Sequence, residues 1–272
     1  MKLLNFAFAV ILFASMSILP ETVIAFGGCD TNCKTCHTLS IKDAQSLLQG
    51  FDKKIIVKNI EMSPSQGLWE VTFTIDNQQI IGYIDFAKKN FIHGDIIKLD
   101  SKQNLTRDHL IDLNYANAEK VDIKKIPTND AIIMGNPKAK KRIIVFTDPE
   151  CPYCARLHQE ITTLLKERSD IVFLIKMYPL ISIHKDAYRK SKIIVCEKTL
   201  DTLEKAFNRK PLSEAPCETN VVDETIRLAE QLGITGTPAI VFPDGRLIKS
   251  MLSAYDLNRL IPEDQNTDRS AK

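Results

Sequence analysis

Two cysteines, Cys151-Pro-Tyr-Cys154, stand where a strand has to give way to a helix, and that placement constrains this chain more than any other feature. Arg142-Ile-Ile-Val-Phe-Thr147 ahead of them is a short run of buried-strand type. Behind them Leu157, Ile161, Leu164 and Leu165 recur at i, i+4, i+7 and i+8, the apolar stripe of a helix. Cys151 therefore falls at the helix N-terminus, where unpaired backbone N–H groups and the helix dipole favour a thiolate. A free cysteine titrates near about 8.5, and a Cys-x-x-Cys pair in this setting lowers that to about 7 or below. The pair is suited to exchanging disulfides. A structural bridge or half of a zinc site is the alternative, but zinc wants a second pair or two histidines at finger spacing, and neither lies nearby. His158, further along the same helix, reads as a lone exposed histidine.

A second element belongs with the first. Gly236-Thr-Pro238 precedes the apolar strand Ala239-Ile-Val-Phe242, and Pro243-Asp-Gly245 marks the turn after it. Proline at the first residue of a strand costs no ladder bond. Together with a Cys-x-x-Cys helix upstream, this resembles the cis-proline loop of the thioredoxin fold. That loop packs on the active-site pair and offers backbone groups to a bound peptide, which implies substrate positioning by Thr237 and Pro238.

The start of the chain reads as an export signal. Lys2 supplies a positive charge, Leu3 to Leu19 carry none, and Val23-Ile-Ala25 places tolerated residues at −3 and −1 of a cleavage site. Pro20 and Glu21 end the apolar stretch early for a membrane span. Cleavage after Ala25 leaves all seven cysteines in a soluble, exported protein, in a compartment that permits disulfides. The formal charge of +2 gives no reason to expect nucleic acid as a partner.

Beyond the signal segment (1–25) and a Cys-rich segment (26–38), the texture divides the chain in two. Residues 39–105 read as an α+β unit: a helix capped by Ser40 and ended near Gly50, then strands over Lys54–Ile60, Leu68–Ile75, Ile80–Phe86 and Phe91–Leu99. Trp69, Val71, Phe73 and Ile75 alternate onto one face, and Asp76-Asn77 supplies a turn. The unit shows no cysteine, paired carboxylates or phosphate loop, and it is small enough to be marginal alone. Thr106 reads as the N-cap of a linking helix, and 106–125 form a linker and hinge. Residues 126–265 alternate strand and helix around the Cys-x-x-Cys motif, an α/β pattern with helices over Lys185–Glu197, Leu200–Asn208 and Val221–Leu232 inserted before the proline strand. The tail 266–272 is polar.

On Ile144-Val-Phe-Thr-Asp148, Cys151-Pro-Tyr-Cys154, Leu157-His158 and Gly236-Thr-Pro-Ala239, the chain resembles the DsbC/DsbG family of periplasmic disulfide isomerases. The small unit is similar to that family's dimerisation domain through Gly82-Tyr-Ile-Asp85, Gly94 and Leu105-Thr106. The resemblance implies an α+β dimerisation domain followed by a thioredoxin-like fold with a helical insertion, assembled as a V-shaped homodimer around a cleft for unfolded clients. It implies a structural bridge between Cys196 and Cys217, worth about 3 kcal/mol for a loop of about 20 residues. Cys151 would attack a wrong disulfide in an unfolded or misbridged secreted protein, and Cys154 or a client thiol would resolve the mixed disulfide. Disulfide exchange needs no cofactor. Keeping the pair reduced implies a membrane thiol donor of the DsbD type. Dithiol oxidation is the enzymatic alternative, and a holdase chaperone the binding alternative.

Cys29-Asp-Thr-Asn-Cys33-Lys-Thr-Cys36-His37 departs from the family pattern. Cys33-x-x-Cys36-His37 is the spacing of c-type haem attachment, with two thioethers and His37 as iron ligand. A second disulfide or thiol pair fits the same residues, and zinc fits them poorly, because adjacent Cys36 and His37 would struggle to share one tetrahedral ion. A haem-bearing electron carrier is thus a further reading. Cys29 leaves the cysteine count odd.

Overall fold

The computed structural model describes residues 37–214 and 217–261. The expected signal segment, Cys29, Cys33, Cys36 and the polar tail lie outside the described residues.

The small unit begins with α1 (Ile41–Leu48), whose first turn is closed by Ser40, its hydroxyl accepting from Asp43 N–H at 3.0 Å. A four-stranded antiparallel meander follows, β1 (Ile56–Met62), β2 (Leu68–Ile75), β3 (Gln78–Asp85) and β4 (Phe91–Ile92), in that spatial order. Asp76 and Asn77 both take positive φ, the twist-matched hairpin turn that Asn and Asp tolerate. Trp69, Val71 and Phe73 bury their shared face with Ala44 and Leu48 of α1. The Gln45 amide ties α1 to the start of β1, donating to Ile55 O at 2.6 Å and accepting from Val57 N–H at 2.8 Å. Gly82 lets Phe91 cross β3, since a Cβ there would sit 2.5 Å from the Phe91 ring.

Two expectations for this region change. The strand expected over Phe91–Leu99 pairs only at Phe91 and Ile92, because the Ile96 N–H is taken by the Thr106 hydroxyl at 2.8 Å rather than by a ladder carbonyl. The linking helix, α2 (Leu105–Tyr115), is capped by Asn104, whose side chain accepts from Arg107 N–H at 2.8 Å. Thr106 lies inside it, its hydroxyl buried against Tyr83.

The second unit is built on a five-stranded sheet. Its strands are β5 (Ile132–Gly135), β6 (Lys141–Thr147), β7 (Ile171–Met177), β8 (Ala239–Val241) and β9 (Leu247–Ile248), in the order β5-β7-β6-β8-β9. Only β6 and β7 are parallel, joined by the crossover helix α3 (Pro152–Leu165). Both sheet faces are covered, which is why β6 and β7 read as near-continuous apolar runs. Ile143 and Val145 face α3 and α7 (Ala254–Leu260), while Ile144 and Phe146 face the other core with Ala229. Between β7 and β8 lie the inserted helices α4 (Ala187–Glu197), α5 (Leu200–Phe207) and α6 (Val221–Gln231). The segment expected to act as a hinge is laced to the β8–β9 hairpin, with Val121 N–H donating to Gly245 O at 2.9 Å and Leu247 N–H to Glu119 O at 2.7 Å.

Candidate active site

The end of β6 runs into a turn, Asp148-Pro-Glu150, closed by Cys151 N–H donating to Asp148 O at 3.2 Å. Cys151 is the N-cap of α3, and Pro152 follows where a missing N–H costs nothing. Cys151 and Cys154 are both free thiols and both buried, at 5% and 1% exposure. Thr237 and Pro238, joined by a cis peptide, close over them, with Cys151 Sγ 3.6 Å from Thr237 O. The structure thus brings Cys151, Cys154, Thr237 and Pro238 to one place.

The two sulfurs are electrostatically unequal. A hydrogen bond from the Cys154 thiol, with smaller contributions from the Cys154 N–H, Thr237 and the Tyr153 N–H, draws Cys151 down to about 6 against the burial that opposes it. Burial, and then the bond it gives to Cys151, push the Cys154 thiol far up. At neutral pH the arrangement holds one thiolate and one protonated partner. The thiolate is the attacking species in disulfide exchange.

Asp148 holds this geometry in place. Its carboxylate is fully buried, accepting from Glu150 N–H at 2.7 Å and Leu180 N–H at 2.6 Å, and it lies 2.9 Å from His184 Nδ1. Its own N–H points at Cys154 Sγ, 3.5 Å away. In the sequence Asp148 stands out only as the last residue of the strand motif, and His184 not at all, because both act across a loop that carries no periodic signal. An open cleft of about 990 Å³ runs from Cys151 past Gln159 to Ile183, His184 and Arg209. A second groove of about 490 Å³ lies along Tyr153, Gly236, Pro238 and Met251.

The remaining candidates fall elsewhere. Cys196, on the last turn of α4, is bonded to Cys217 with Cα atoms 5.7 Å apart. His37 stacks on Phe86 with ring centroids 4.4 Å apart, while its haem-spacing partners Cys33 and Cys36 lie outside the described residues. His158 is not exposed: it is 9% accessible, its ring packed against Phe207. Its spacing of four residues from Cys154 puts it on the Cys154 face of α3, which is the signal that could have found it. The small unit does pair carboxylates, since Glu61 and Glu70 are directly opposite across β1 and β2. His109 of α2 lies between them, Nδ1 2.5 Å from Glu70 and Nε2 3.5 Å from Glu61. These three are the set among the described residues whose donor atoms could converge on one metal ion. Among the described residues no helix is long and apolar enough to cross a membrane.

Residues 128–263 match the model of the family described as "Thioredoxin-like domain", and residues 39–107 that of "Disulfide bond isomerase protein N-terminal domain". The chain is 29% identical over 195 residues, 70% of its length, to "Probable thiol:disulfide interchange protein DsbC" of Bordetella avium, covering 64% of that protein. It is 29% identical over 140 residues, 50% of its length, to "Thiol:disulfide interchange protein DsbC" of Escherichia coli, covering 57% of it. The matched regions thus span less than two thirds of either relative. Among solved structures, a disulfide interchange protein from Neisseria gonorrhoeae aligns over 49% of this chain and 94% of its own, with 30% identity and a TM-score of 0.43.

Proposed function

The chain belongs to the thioredoxin-like family, with the N-terminal domain of disulfide bond isomerases ahead of that fold, and on this premise we propose that it is a thiol–disulfide oxidoreductase that isomerises and reduces wrong disulfides in exported proteins. The observation that carries this reading is the unequal pair: a Cys151 held near 6 at the mouth of an open cleft, beside a buried Cys154 that keeps its proton.

The Cys151 thiolate attacks one sulfur of a client disulfide. A Cys151–client disulfide forms, and the other client sulfur leaves as a thiolate. If that freed thiolate, or another client thiol, attacks the mixed disulfide, the client is re-bridged and Cys151 returns as a thiolate, with no net oxidation. If Cys154 attacks instead, it gives up its proton and forms the Cys151–Cys154 bridge; the client leaves reduced by two electrons and the enzyme is oxidised by two. A dithiol donor of the DsbD type then restores the pair. Thr237 and Pro238 present backbone to the client beside the mixed disulfide.

The reading extends to a homodimer in the periplasm. Leu99, Phe51 and Ile56 leave 96%, 75% and 54% of their surface exposed on the small unit, and a second copy would cover such side chains. Export rests on the N-terminal signal pattern.

The deciding experiment is reactivation of scrambled ribonuclease by the reduced protein, with Cys151→Ser as control. Recovery that depends on Cys151 is the expected result. Oxidation of reduced ribonuclease without reactivation of the scrambled form would make the protein a dithiol oxidase and end the isomerase reading.

A further inference from the structure

On the thiol-exchange reading, the resolving step needs a group that takes the Cys154 proton. Cys154 must lose its proton before it can resolve a mixed disulfide, and it is 1% exposed. A sealed thiol cannot hand its proton to bulk water directly.

The surroundings of Cys154 offer one route. Its side chain lines a small pocket of about 10 Å³ with Thr147, Ile175, Leu203, His158 and Phe207. That is about the volume that admits a single water molecule. On the far side of the His158 and Phe207 rings lies an open groove of about 370 Å³, lined by Thr162, Lys166 and Glu204. His158 and Phe207 line both spaces, with ring centroids 5.3 Å apart, so the pair stands between the small pocket at Cys154 and the groove. Of the two, only the imidazole can take a proton on one nitrogen and release it from the other. The Nε2 atom of His158 is buried and has no hydrogen bond of good geometry among the described residues; Glu204 Oε1, on a half-exposed side chain lining the groove, lies 3.5 Å from it.

We propose that His158 carries the proton of Cys154 between the small pocket and the Glu204 groove during the resolving step. Cys154 S–H gives its proton, through a water in the pocket, to the neutral imidazole. The Cys154 thiolate then attacks Cys151 Sγ, the Cys151–Cys154 bond forms, and the client thiolate leaves. The imidazolium passes its proton out past Glu204, and the leaving thiolate takes one up from solvent. The reverse sequence returns the proton when a donor dithiol reduces the pair. His158 is a positioning residue in this scheme, acting on Cys154 through the water.

Burial holds His158 below its ordinary range while Glu204 opposes this, so the ring is a neutral acceptor at pH 7. The charged groups facing it are Glu204 from α5 and Lys166 from the end of α3. From β6 and β7, Val145, Thr147 and Ile175 face the small pocket, and none titrates there.

The test mixes reduced full-length protein with one equivalent of a chromogenic aromatic disulfide in a stopped-flow instrument. Acid-quenched peptides assign the first thiol release to Cys151 and the second to Cys154. In His158→Phe and His158→Gln the first release should keep its rate. The second should slow at least about tenfold at pH 7 and converge on the unsubstituted protein in alkali, where hydroxide takes over as base. A second release that is unchanged, that is slowed equally at every pH, or that His158→Gln fully restores overturns the proposal and leaves His158 a packing residue. Absence of the first release in the unsubstituted protein would instead sink the exchange reading itself, and its loss only in the His158 variants would overturn the relay. Should both variants fail to fold, Glu204→Gln at its exposed site decides: the break in the pH profile of the second release should move to lower pH, and an unmoved break overturns the relay.

Discussion

Arg107 on the linking helix clasps Asp256 in the first turn of α7 through two hydrogen bonds, Nε to Oδ1 at 2.8 Å and Nη2 to Oδ2 at 2.5 Å. Tyr255 OH donates to Asp108 at 2.8 Å and Arg259 Nη2 to Asp112 at 2.9 Å along the same seam. The opposite side of α2 holds the small unit, through His109 on Glu70 and Thr106 on Tyr83. A helix gripped on both sides acts as a bracket that sets where the small unit stands relative to Cys151.

Arg107→Ala should therefore loosen the seam. Asp256 is 4% exposed at its side chain, and without the guanidinium its carboxylate keeps, among the described residues, the capping bond with Ser253 N–H. We expect a loss of about 2–3 kcal/mol, read as a lowered urea midpoint. Arg107→Lys should recover only part of it, because an ammonium cannot make the two-pronged contact. A midpoint that does not move in the alanine variant would show the clasp to be incidental.

The titration of Cys151 gives a second measurable consequence. Alkylation of the reduced protein by iodoacetamide should rise with pH around a midpoint near 6. Cys154→Ala removes the hydrogen bond that contributes most to this depression, so the midpoint should move up toward the ordinary value of about 8.5. The linked stability has a definite sign. A thiol whose folded pKa is depressed stabilises the reduced form above its unfolded pKa, and that gain is lost as pH falls through about 6. The oxidised protein has no such thiol, so the stability gap between the two forms should change across this window. A flat difference between them from pH 5 to 9 would contradict the assignment.

Much of this was legible in the sequence, for a physical reason. Strands β6 and β7 are buried on both faces, so their composition alone declares them, and Cys151 follows from where the strand stops and the apolar helix stripe starts. The Asp76-Asn77 turn was legible because few residues accept positive φ. Side chains that act across the fold were not. Asn104 and Thr106 are both good N-caps, and the Tyr83 hydroxyl and the Ile96 N–H, which engage the Thr106 hydroxyl from earlier in the chain, decide between them. The pairing of Glu61 with Glu70 depends on register, and the burial of His158 on an inserted helix that begins more than forty residues later.

The cross-strand carboxylates yield a third test. Like charges directly opposite in a sheet repel, and Glu70 is 3% exposed, so His109 is the group that makes the pair tolerable. His109→Ala should cost the small unit about 1–2 kcal/mol, because it leaves the buried Glu70 carboxylate with the Tyr83 hydroxyl but without the imidazole. Glu61→Gln in the same chain should return part of that loss by removing the repulsion. Trp69, the only tryptophan, lies in β2 beside the pair and reports unfolding of this unit by fluorescence. Additive losses in the double variant would mean that His109 and Glu61 act independently.

Client binding can be separated from thiol chemistry at the rim of the cleft. Ile181 and Ile183 leave 59% and 67% of their surface in water, on a loop that Asp148 anchors through Leu180 N–H. Ile183 also lines the cleft that opens at Cys151. An unfolded client has apolar side chains to cover them, whereas a small aromatic disulfide does not. Exposed positions contribute little to folding, so Ile181→Ser with Ile183→Ser should shift stability by no more than about 0.5 kcal/mol. The first thiol release with the small disulfide should keep its rate, since neither side chain contributes to the Cys151 titration. Reactivation of scrambled ribonuclease should fall several-fold, which corresponds to about 1 kcal/mol less apolar burial of the client at the rim. A parallel fall in both assays would place the defect at Cys151 itself, and no fall in either would move the client's seat to the groove along Tyr153 and Met251.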